Sequence, residues 1–204
     1  MPAGHQIIFP EPRKAALEPQ EWGSPGPGQV LLKTERTLIS TGTELTMMSG
    51  DFPRENSAWA NYVRYPMPPG YSSVAIVQEV GEGVDPARIG ERITCTARHA
   101  SYALYPAEHL RPIPSGVDSE AASFSTLAEI VMGGVRLSRV MFGESVAIIG
   151  AGLLGQLATQ FCRRAGAWPL IVIDPAEGRL QTAKKMGATH ILPMLAEEAR
   201  EEVG

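Results

Sequence analysis

A glycine-rich turn at residues 150–155 is the part of the sequence whose residue types and spacing best fit ligand binding. It reads GAGLLG, follows the apolar run VAII at residues 146–149, and precedes a helical pattern. In such a strand–turn–helix unit, Gly150 allows a tight turn, Gly152 lets backbone N–H groups approach a pyrophosphate, and Gly155 lets the helix pack closely against the strand. The motif therefore predicts a dinucleotide-binding site. The alternative is an ordinary βαβ turn whose glycines are needed only for packing.

The residues after this turn indicate how a dinucleotide would be held and which one is preferred. The phosphates are expected at the helix start, around Leu153 and Leu154, where free amides and the helix dipole favour negative charge. A second apolar run, LIVI at residues 170–173, ends on Asp174, roughly 20 residues beyond the glycines. A carboxylate there can accept hydrogen bonds from both ribose hydroxyls and repels a 2′-phosphate, which favours NAD over NADP. Arg179 could soften that preference, or it is a solvated charge on the next helix.

Composition and charge exclude several other classes of function. The 204 residues carry a formal net charge of −4 with a pI near 5.6, which argues against a nucleic-acid-binding surface. The two cysteines, Cys95 and Cys162, lack metal-ligand spacing, and Cys162 is expected in the core of the helix after the glycines. No signal-peptide pattern opens the sequence, and no apolar stretch approaches the ~20 residues that span a bilayer. We therefore expect a soluble, cytoplasmic protein without membrane or nucleic-acid partners.

The pattern of the chain changes near residue 140. Before that point, short β-type runs alternate with Pro- and Gly-rich turns, which predicts a partly open β-barrel. These runs lie at residues 6–9, 29–34, 73–80, 92–96 and 101–105. Residues 118–141 are predicted to be helical, and strand–helix–strand alternation typical of a parallel sheet follows. The predicted domains are therefore 1–117, a connecting helical segment 118–142, and an α/β unit 143–204.

Several short motifs, taken in order, resemble the medium-chain dehydrogenase/reductase family. Each would be weak alone, but their order and spacing together are specific. They are PGQVL at 27–31, TGTE at 41–44, PGYS at 69–72, VGEGV at 80–84, GERI at 90–93 and GATH at 187–190. The resemblance implies a GroES-like β-barrel catalytic domain followed by a Rossmann domain, with hydride chemistry in the cleft between them.

The sequence departs from the zinc-dependent members of that family at the metal ligands. The positions that resemble the family's ligand Cys and His carry Thr41 and Tyr71, and the third ligand should fall near Ser125. Zinc sites use thiolate, imidazole or carboxylate ligands, and hydroxyl groups are not usual substitutes. The structural zinc loop with four cysteines is also missing, so we expect no zinc.

A member without zinc needs hydrogen-bonding groups to handle the proton that accompanies hydride transfer. The resemblance points to Thr43, at the position of the family's proton-relay hydroxyl, and to Tyr71, which replaces a ligand. His99, in a loop between two strands, could reach the cleft or face solvent. Glu44 is expected to anchor the TGTE turn rather than act as an acid. Thr126 matches a threonine that contacts nicotinamide in relatives, or it is a helix residue buried by packing.

Members of this family are considerably longer, and the second half of the Rossmann domain has no counterpart in these residues. A shortened or incomplete chain, a natural truncation and a split protein completed by a second polypeptide are all open. The expected function is zinc-independent, NAD(P)-dependent oxidation or reduction of a small molecule: an alcohol, a carbonyl or an activated C=C bond, in secondary or biosynthetic metabolism. The alternative is a dinucleotide-binding module without turnover, or a fragment completed by a partner. A homodimer is expected for the full-length protein.

Overall fold

The computed structural model describes residues 1–53, 55 and 58–200. The chain forms two compact units, Met1–Thr126 and Leu127–Gly204. The boundary between them falls inside the predicted connecting segment 118–142, and the predicted domain limits themselves stay a prediction.

The first unit is built on antiparallel strands. Strands β1 (Ala3–Ile8) and β2 (Ala16–Glu21) form a hairpin. A second sheet has five strands in the order β6-β3-β4-β5-β7. Its members are β3 (Gln29–Thr37), β4 (Ser73–Val80), β5 (Arg92–Cys95), β6 (Tyr102–Pro106) and β7 (Arg111–Pro112). Among the described residues these sheets do not close on themselves, in agreement with the predicted partly open barrel.

Buried apolar residues along the central strands explain why this sheet forms. Val30 and Leu32 of β3, Val77 of β4 and Ile93 of β5 are fully buried in one cluster. Side chains two residues apart point to the same face of a strand, so these apolar residues share one core face. The register of β3 against β4 shifts twice, between Leu31 and Leu32 and again at residues 34–36, which bends the sheet.

Three helices accompany these strands: α1 (Thr41–Ser49), α2 (Ala58–Tyr62) and α3 (Ser119–Ser123). Helix α1 occupies the TGTE segment, which the sequence predicted as a turn. It ends at Gly50, whose φ of +69° is the left-handed conformation that commonly terminates helices. Glu44 and Met47 are buried on α1. Their burial stabilises the helix and outweighs the low intrinsic helix propensity of this segment.

The second unit contains a parallel three-stranded sheet in the order β10-β9-β8. Its strands are β8 (Val146–Ile149), β9 (Leu170–Ile173) and β10 (His190–Leu192). Its helices are α5 (Leu153–Ala165), α6 (Glu177–Lys185) and α4 (Ser125–Leu137), whose first two residues belong to the first unit. Strands β8 and β9 match the predicted apolar runs, and Cys162 of α5 is buried as expected. This is the first half of a Rossmann-type sheet, so the predicted combination of a GroES-like unit with a partial Rossmann unit is confirmed.

The predicted helical segment 118–141 is two helices rather than one. Asp118 caps α3, since its side chain accepts a hydrogen bond from the Ala121 amide at 2.6 Å. The helix is interrupted at Phe124, whose amide donates a hydrogen bond to the Ala121 carbonyl, and α4 begins at the next residue. In the part of the chain that the structure describes, the helices lack the length and apolar character needed to cross a membrane.

Candidate functional site

The glycine turn between β8 and α5 uses its three glycines in three different ways. Gly150 has a φ of +93°, a conformation that side chains rarely adopt, so it needs glycine for its backbone. A Cβ on Gly155 would lie 1.8 Å from the Gly150 carbonyl oxygen, so Gly155 needs glycine for close packing. Gly152 has an ordinary φ of −71° and open space where a Cβ would be. Neither folding constraint therefore requires glycine at position 152.

The start of α5 offers free amides beside that open space. Gly152 is the N-cap residue, and the first backbone bond of the helix runs from the Gln156 amide to the Gly152 carbonyl at 2.9 Å. The amides of Gly152, Leu153, Leu154 and Gly155 consequently lack intrahelical acceptors. The first turn carries no acidic residue. These amides and the helix dipole can bind an anionic group such as a phosphate.

Asp174, at the end of β9, is joined to this turn by hydrogen bonds that the sequence analysis did not predict. Its carboxylate accepts from the Ala151 amide at 2.8 Å and from the Ala176 amide at 2.7 Å. These backbone bonds, that of Ala176 first, lower the pKa of the Asp174 carboxyl, and Arg179 adds a smaller effect. The carboxylate therefore clamps the glycine turn to the start of α6.

One of the two hydrogen bonds of Asp174, that from the Ala176 amide, could have been predicted from the sequence. An Asp side chain commonly bonds the backbone amide two residues later, which is the Asp174–Ala176 contact. The bond to Ala151 joins residues 23 positions apart and required the fold. Asp174 is only 5% exposed, but each of its oxygens retains a second lone pair. Its predicted ribose contact remains a prediction.

Arg179 lies on α6 with an exposed side chain, and its guanidinium is 3.8 Å from the Asp174 carboxylate. Its carbonyl accepts a hydrogen bond from the Gln156 side chain of α5 at 2.8 Å. The backbone of Arg179 is thus fixed to the helix that follows the glycine turn, while its charge remains in solvent. Both interpretations of Arg179, a phosphate partner and a solvated charge, stay open.

In the first unit, the positions that resemble metal ligands carry hydroxyl side chains. Thr41 is exposed at the first turn of α1, Tyr71 is half-buried just before β4, and Ser125 is half-buried at the start of α4. The described residues contain no group of three or more His, Cys, Asp or Glu side chains that could hold a metal ion. Because hydroxyl groups are not usual zinc ligands, these three positions do not fit a catalytic zinc site.

Thr43 and Thr126, two further predicted site residues, are both half-buried. Thr43 lies in the first turn of α1, one residue before Glu44. Thr126 lies in the first turn of α4 and is the last residue of the first unit. The predicted contact of Thr126 with nicotinamide and the predicted proton-relay role of Thr43 remain predictions.

His99 is buried and bonded to Glu44, so the alternative that it faces solvent is wrong. Its Nε2 lies 2.6 Å from Glu44 Oε2, and the two side chains are 5% and 3% exposed. The other oxygen of Glu44 accepts the Ser40 amide at 2.9 Å, at the start of α1. The structure thus supports the expectation that Glu44 anchors this segment. Sequence reasoning missed the pair because 55 residues separate its members.

Comparison with known proteins identifies the family. Residues 26–134, more than half of the chain, match the alcohol dehydrogenase GroES-like domain. An L-threonine 3-dehydrogenase of Pyrococcus furiosus is 30% identical over 212 residues, which cover 88% of this chain and 58% of that protein. An L-threonine 3-dehydrogenase of a Marinomonas species is 29% identical, with 86% and 58% covered. The chain belongs to the medium-chain dehydrogenase/reductase superfamily.

Solved structures share the fold at lower sequence identity. Acetophenone reductase from Geotrichum candidum, in complex with NAD, superposes with a TM-score of 0.83 at 21% identity, covering 96% of this chain and 65% of that one. A Sinorhizobium meliloti protein described as a zinc-binding dehydrogenase, bound to NADP, gives 0.80 at 24% identity, with 94% and 62% covered. The chain thus spans roughly three fifths of the length of the relatives it matches, 58% for the curated L-threonine 3-dehydrogenase of P. furiosus.

Proposed function

We propose that this protein is a nicotinamide-dependent oxidoreductase that transfers a hydride to or from an alcohol, a carbonyl or an activated C=C bond without zinc. The observation that carries the proposal is the open α5 N-terminus: free amides beside a glycine that folding does not require. Membership of a family of dehydrogenases supports it. Of the relatives named above, one solved structure is bound to NAD and another to NADP. The names of the relatives include an L-threonine 3-dehydrogenase and an acetophenone reductase.

The cofactor would be held mainly by the second unit. The pyrophosphate would accept hydrogen bonds from the amides at the start of α5, and Gly152 would let the backbone approach it. Asp174 would accept hydrogen bonds from the adenosine ribose with the lone pairs that the Ala151 and Ala176 amides leave free. Because the Asp174 carboxylate would repel the 2′-phosphate of NADP, we propose NAD as the preferred cofactor.

On the substrate side, the reaction needs a route for a proton. A bound nicotinamide supplies or accepts the hydride at the substrate carbon. When a carbonyl is reduced, its oxygen gains negative charge and then a proton; when an alcohol is oxidised, that proton leaves. We propose that the hydroxyl of Thr43 or Tyr71 transfers this proton to or from the substrate oxygen. As a positioned hydrogen-bond donor, it would also stabilise the developing alkoxide. His99 is not assigned this role because its ring is buried against Glu44.

The zinc-independent part of the proposal rests on residue types. Thr41, Tyr71 and Ser125 offer hydroxyls where zinc-dependent relatives need thiolate, imidazole or carboxylate. We therefore assign no step to a metal ion. A dinucleotide-binding module without turnover is the alternative function, and the experiment below separates the two.

The test is turnover by the full-length protein with substrates that its relatives are named for. L-threonine and 2R,3R-butanediol would be offered with NAD or NADP, and acetophenone and a quinone with NADH or NADPH, while zinc is measured in the same preparation. We expect turnover of at least one substrate with substoichiometric zinc. Turnover that needs one chelator-resistant zinc per chain would refute zinc independence. Tight NADH binding with no turnover across the panel would favour the binding module.

A further inference from the structure

His99 and Glu44 form a buried pair that the proposed reaction does not use. Their contact of 2.6 Å is shorter than a typical N–H···O bond, as expected when one partner is a charged carboxylate. Both residues are more than nine-tenths buried, at 5% and 3% exposure. Burying a carboxylate is costly unless its oxygens are bonded, and here both are: one by His99 and one by the Ser40 amide.

Each member of the pair fixes a segment that carries one of the candidate hydroxyls. Glu44 lies next to Thr43 in α1, and its bond to Ser40 holds the first turn of that helix. The His99 amide bonds the Pro69 carbonyl at 3.0 Å. Gly70, with a φ of +104°, lies so close to His99 that a Cβ on it would be 2.6 Å from the backbone nitrogen of His99.

Tyr71 follows Gly70 directly, so His99 is packed against the backbone that carries the Tyr71 hydroxyl. The His99 carbonyl accepts a hydrogen bond from the Ile7 amide at 2.9 Å, which also fixes the backbone of the histidine. The pair therefore ties residues 40–44 to residues 69–71 across 55 positions of sequence. Replacing the His99 side chain would leave the backbone bonds of residue 99 in place but would remove its link to Glu44 and α1.

The second ring nitrogen of His99 limits what the pair can do. Among the described residues, Nδ1 is buried without a hydrogen-bond partner. If the ring carried a proton on Nδ1, a buried donor would be left unsatisfied, which costs more than an unused acceptor in this setting. The hydrogen-bond pattern therefore favours a proton on Nε2, which His99 donates to Glu44. A ring committed in this way is suited to holding position rather than to exchanging protons with a substrate.

We propose that His99, through Glu44, is a positioning residue that sets the separation of the Thr43 and Tyr71 hydroxyls. This inference rests on the proposed function. The competing explanation is that the pair only stabilises the fold of the first unit.

The test compares three His99 variants of the full-length protein. His99→Gln keeps an amide N–H able to reach Glu44, His99→Asn is too short to reach it, and His99→Leu removes the donor. His109→Leu is the matched control, because it breaks an exposed contact of 3.6 Å between His109 and Glu108 in the same unit. Each variant is assayed for kcat and KM with the panel substrate that turns over fastest, and for NADH affinity.

We expect kcat to fall about 10- to 100-fold in His99→Leu and His99→Asn, because displacing a reacting group by about 1 Å can cost ~100-fold. His99→Gln should recover most of that loss. KM and NADH affinity should change less than about threefold, and His109→Leu should match the parent. A rise in KM with kcat unchanged, or no recovery of kcat in His99→Gln, would overturn the proposal.

Adding Tyr71→Phe or Thr43→Val to His99→Leu separates positioning from folding. If His99 acts through these hydroxyls, the second substitution should cost much less than it does alone, because groups that act as a unit are not additive. Multiplicative losses at both sites would overturn the proposal while leaving the oxidoreductase function intact. Absence of turnover in the parent would instead refute the oxidoreductase function, and this inference with it.

One measurement does not depend on turnover or on whether the variants fold. The imidazole ¹⁵N spectrum of the parent protein should show His99 with a proton on Nε2, as a slowly exchanging N–H. A ring protonated on Nδ1, or one that exchanges freely with water, would overturn the proposed geometry.

Discussion

Asp174 carries two tasks at the scale of a single residue. Its carboxylate joins the glycine turn to the start of α6, and it is the predicted acceptor for a ribose. These tasks are compatible, since a carboxylate offers about four lone-pair sites and the two amides occupy only two. They differ in their consequences: the clamp contributes to stability without any ligand, whereas the ribose contact affects only cofactor affinity and preference.

The clamp predicts a pH-dependent contribution to stability. Because backbone bonds lower the native-state pKa of Asp174, its carboxylate stabilises the fold above the unfolded-state value of about 3.9. That stabilisation is lost as the pH falls through the lowered native value. The difference in free energy of unfolding between the parent and Asp174→Asn should therefore be largest near pH 6–7 and shrink below about pH 4. Urea unfolding at a series of pH values measures it, and a difference independent of pH would rule out this role.

At the scale of elements, the approach of α5 to the turn that precedes it depends on one glycine. A Cβ at Gly155 would lie 1.8 Å from the Gly150 carbonyl oxygen and collide with it. The Gly150 amide is also bonded to the Ile173 carbonyl at the end of β9, at 2.8 Å. A side chain at position 155 must therefore displace the helix or the turn.

Gly155→Ala should consequently lower the free energy of unfolding by about 1–3 kcal/mol, the usual cost of overpacking. Gly178→Ala in α6 is the matched control, since open space surrounds a Cβ there and alanine favours a helix by about 0.5–1 kcal/mol over glycine. Thermal or urea unfolding of both variants measures these effects. Equal stability of Gly155→Ala and the parent would mean that the helix and the turn are not in close contact.

The elements also show what sequence patterns can predict. The predicted runs at residues 73–80, 146–149 and 170–173 have the bounds of β4, β8 and β9, because the hydrophobicity of neighbouring residues is a local property of the sequence. Strand β2 was missed because Pro19 and its charged neighbours weaken the strand pattern, and pairing with β1 decides its structure. Helix α1 was missed for a similar reason: Gly42 lowers its propensity, and buried Glu44 outweighs that cost.

At the scale of the whole molecule, the sequence was sufficient for the family and for the order of its two units. The motifs that carry that inference are short segments of glycines and turn residues, read in their order along the chain. The buried polar contacts were not predictable in the same way. His99 meets Glu44, and Asp174 meets Ala151, only after the chain has folded, and neither partner is marked by local sequence.

The central claim is that the protein binds a nicotinamide dinucleotide at the start of α5, and Gly152→Val tests it most directly. A Cβ at position 152 would have no neighbouring atom within 4 Å, and the φ of −71° is ordinary for residues with side chains. We therefore expect Gly152→Val to fold with a stability within about 1 kcal/mol of the parent. Its side chain would nevertheless fill the space that the pyrophosphate needs, next to the free amides of the helix.

The measurement is a calorimetric titration of the full-length protein with NADH, for the parent, Gly152→Val and the control Gly178→Val. We predict that the parent and Gly178→Val bind NADH with similar affinity, and that Gly152→Val is folded but loses binding by at least about 100-fold. A folded Gly152→Val protein that binds NADH as tightly as the parent would contradict the assignment of this turn as the cofactor site.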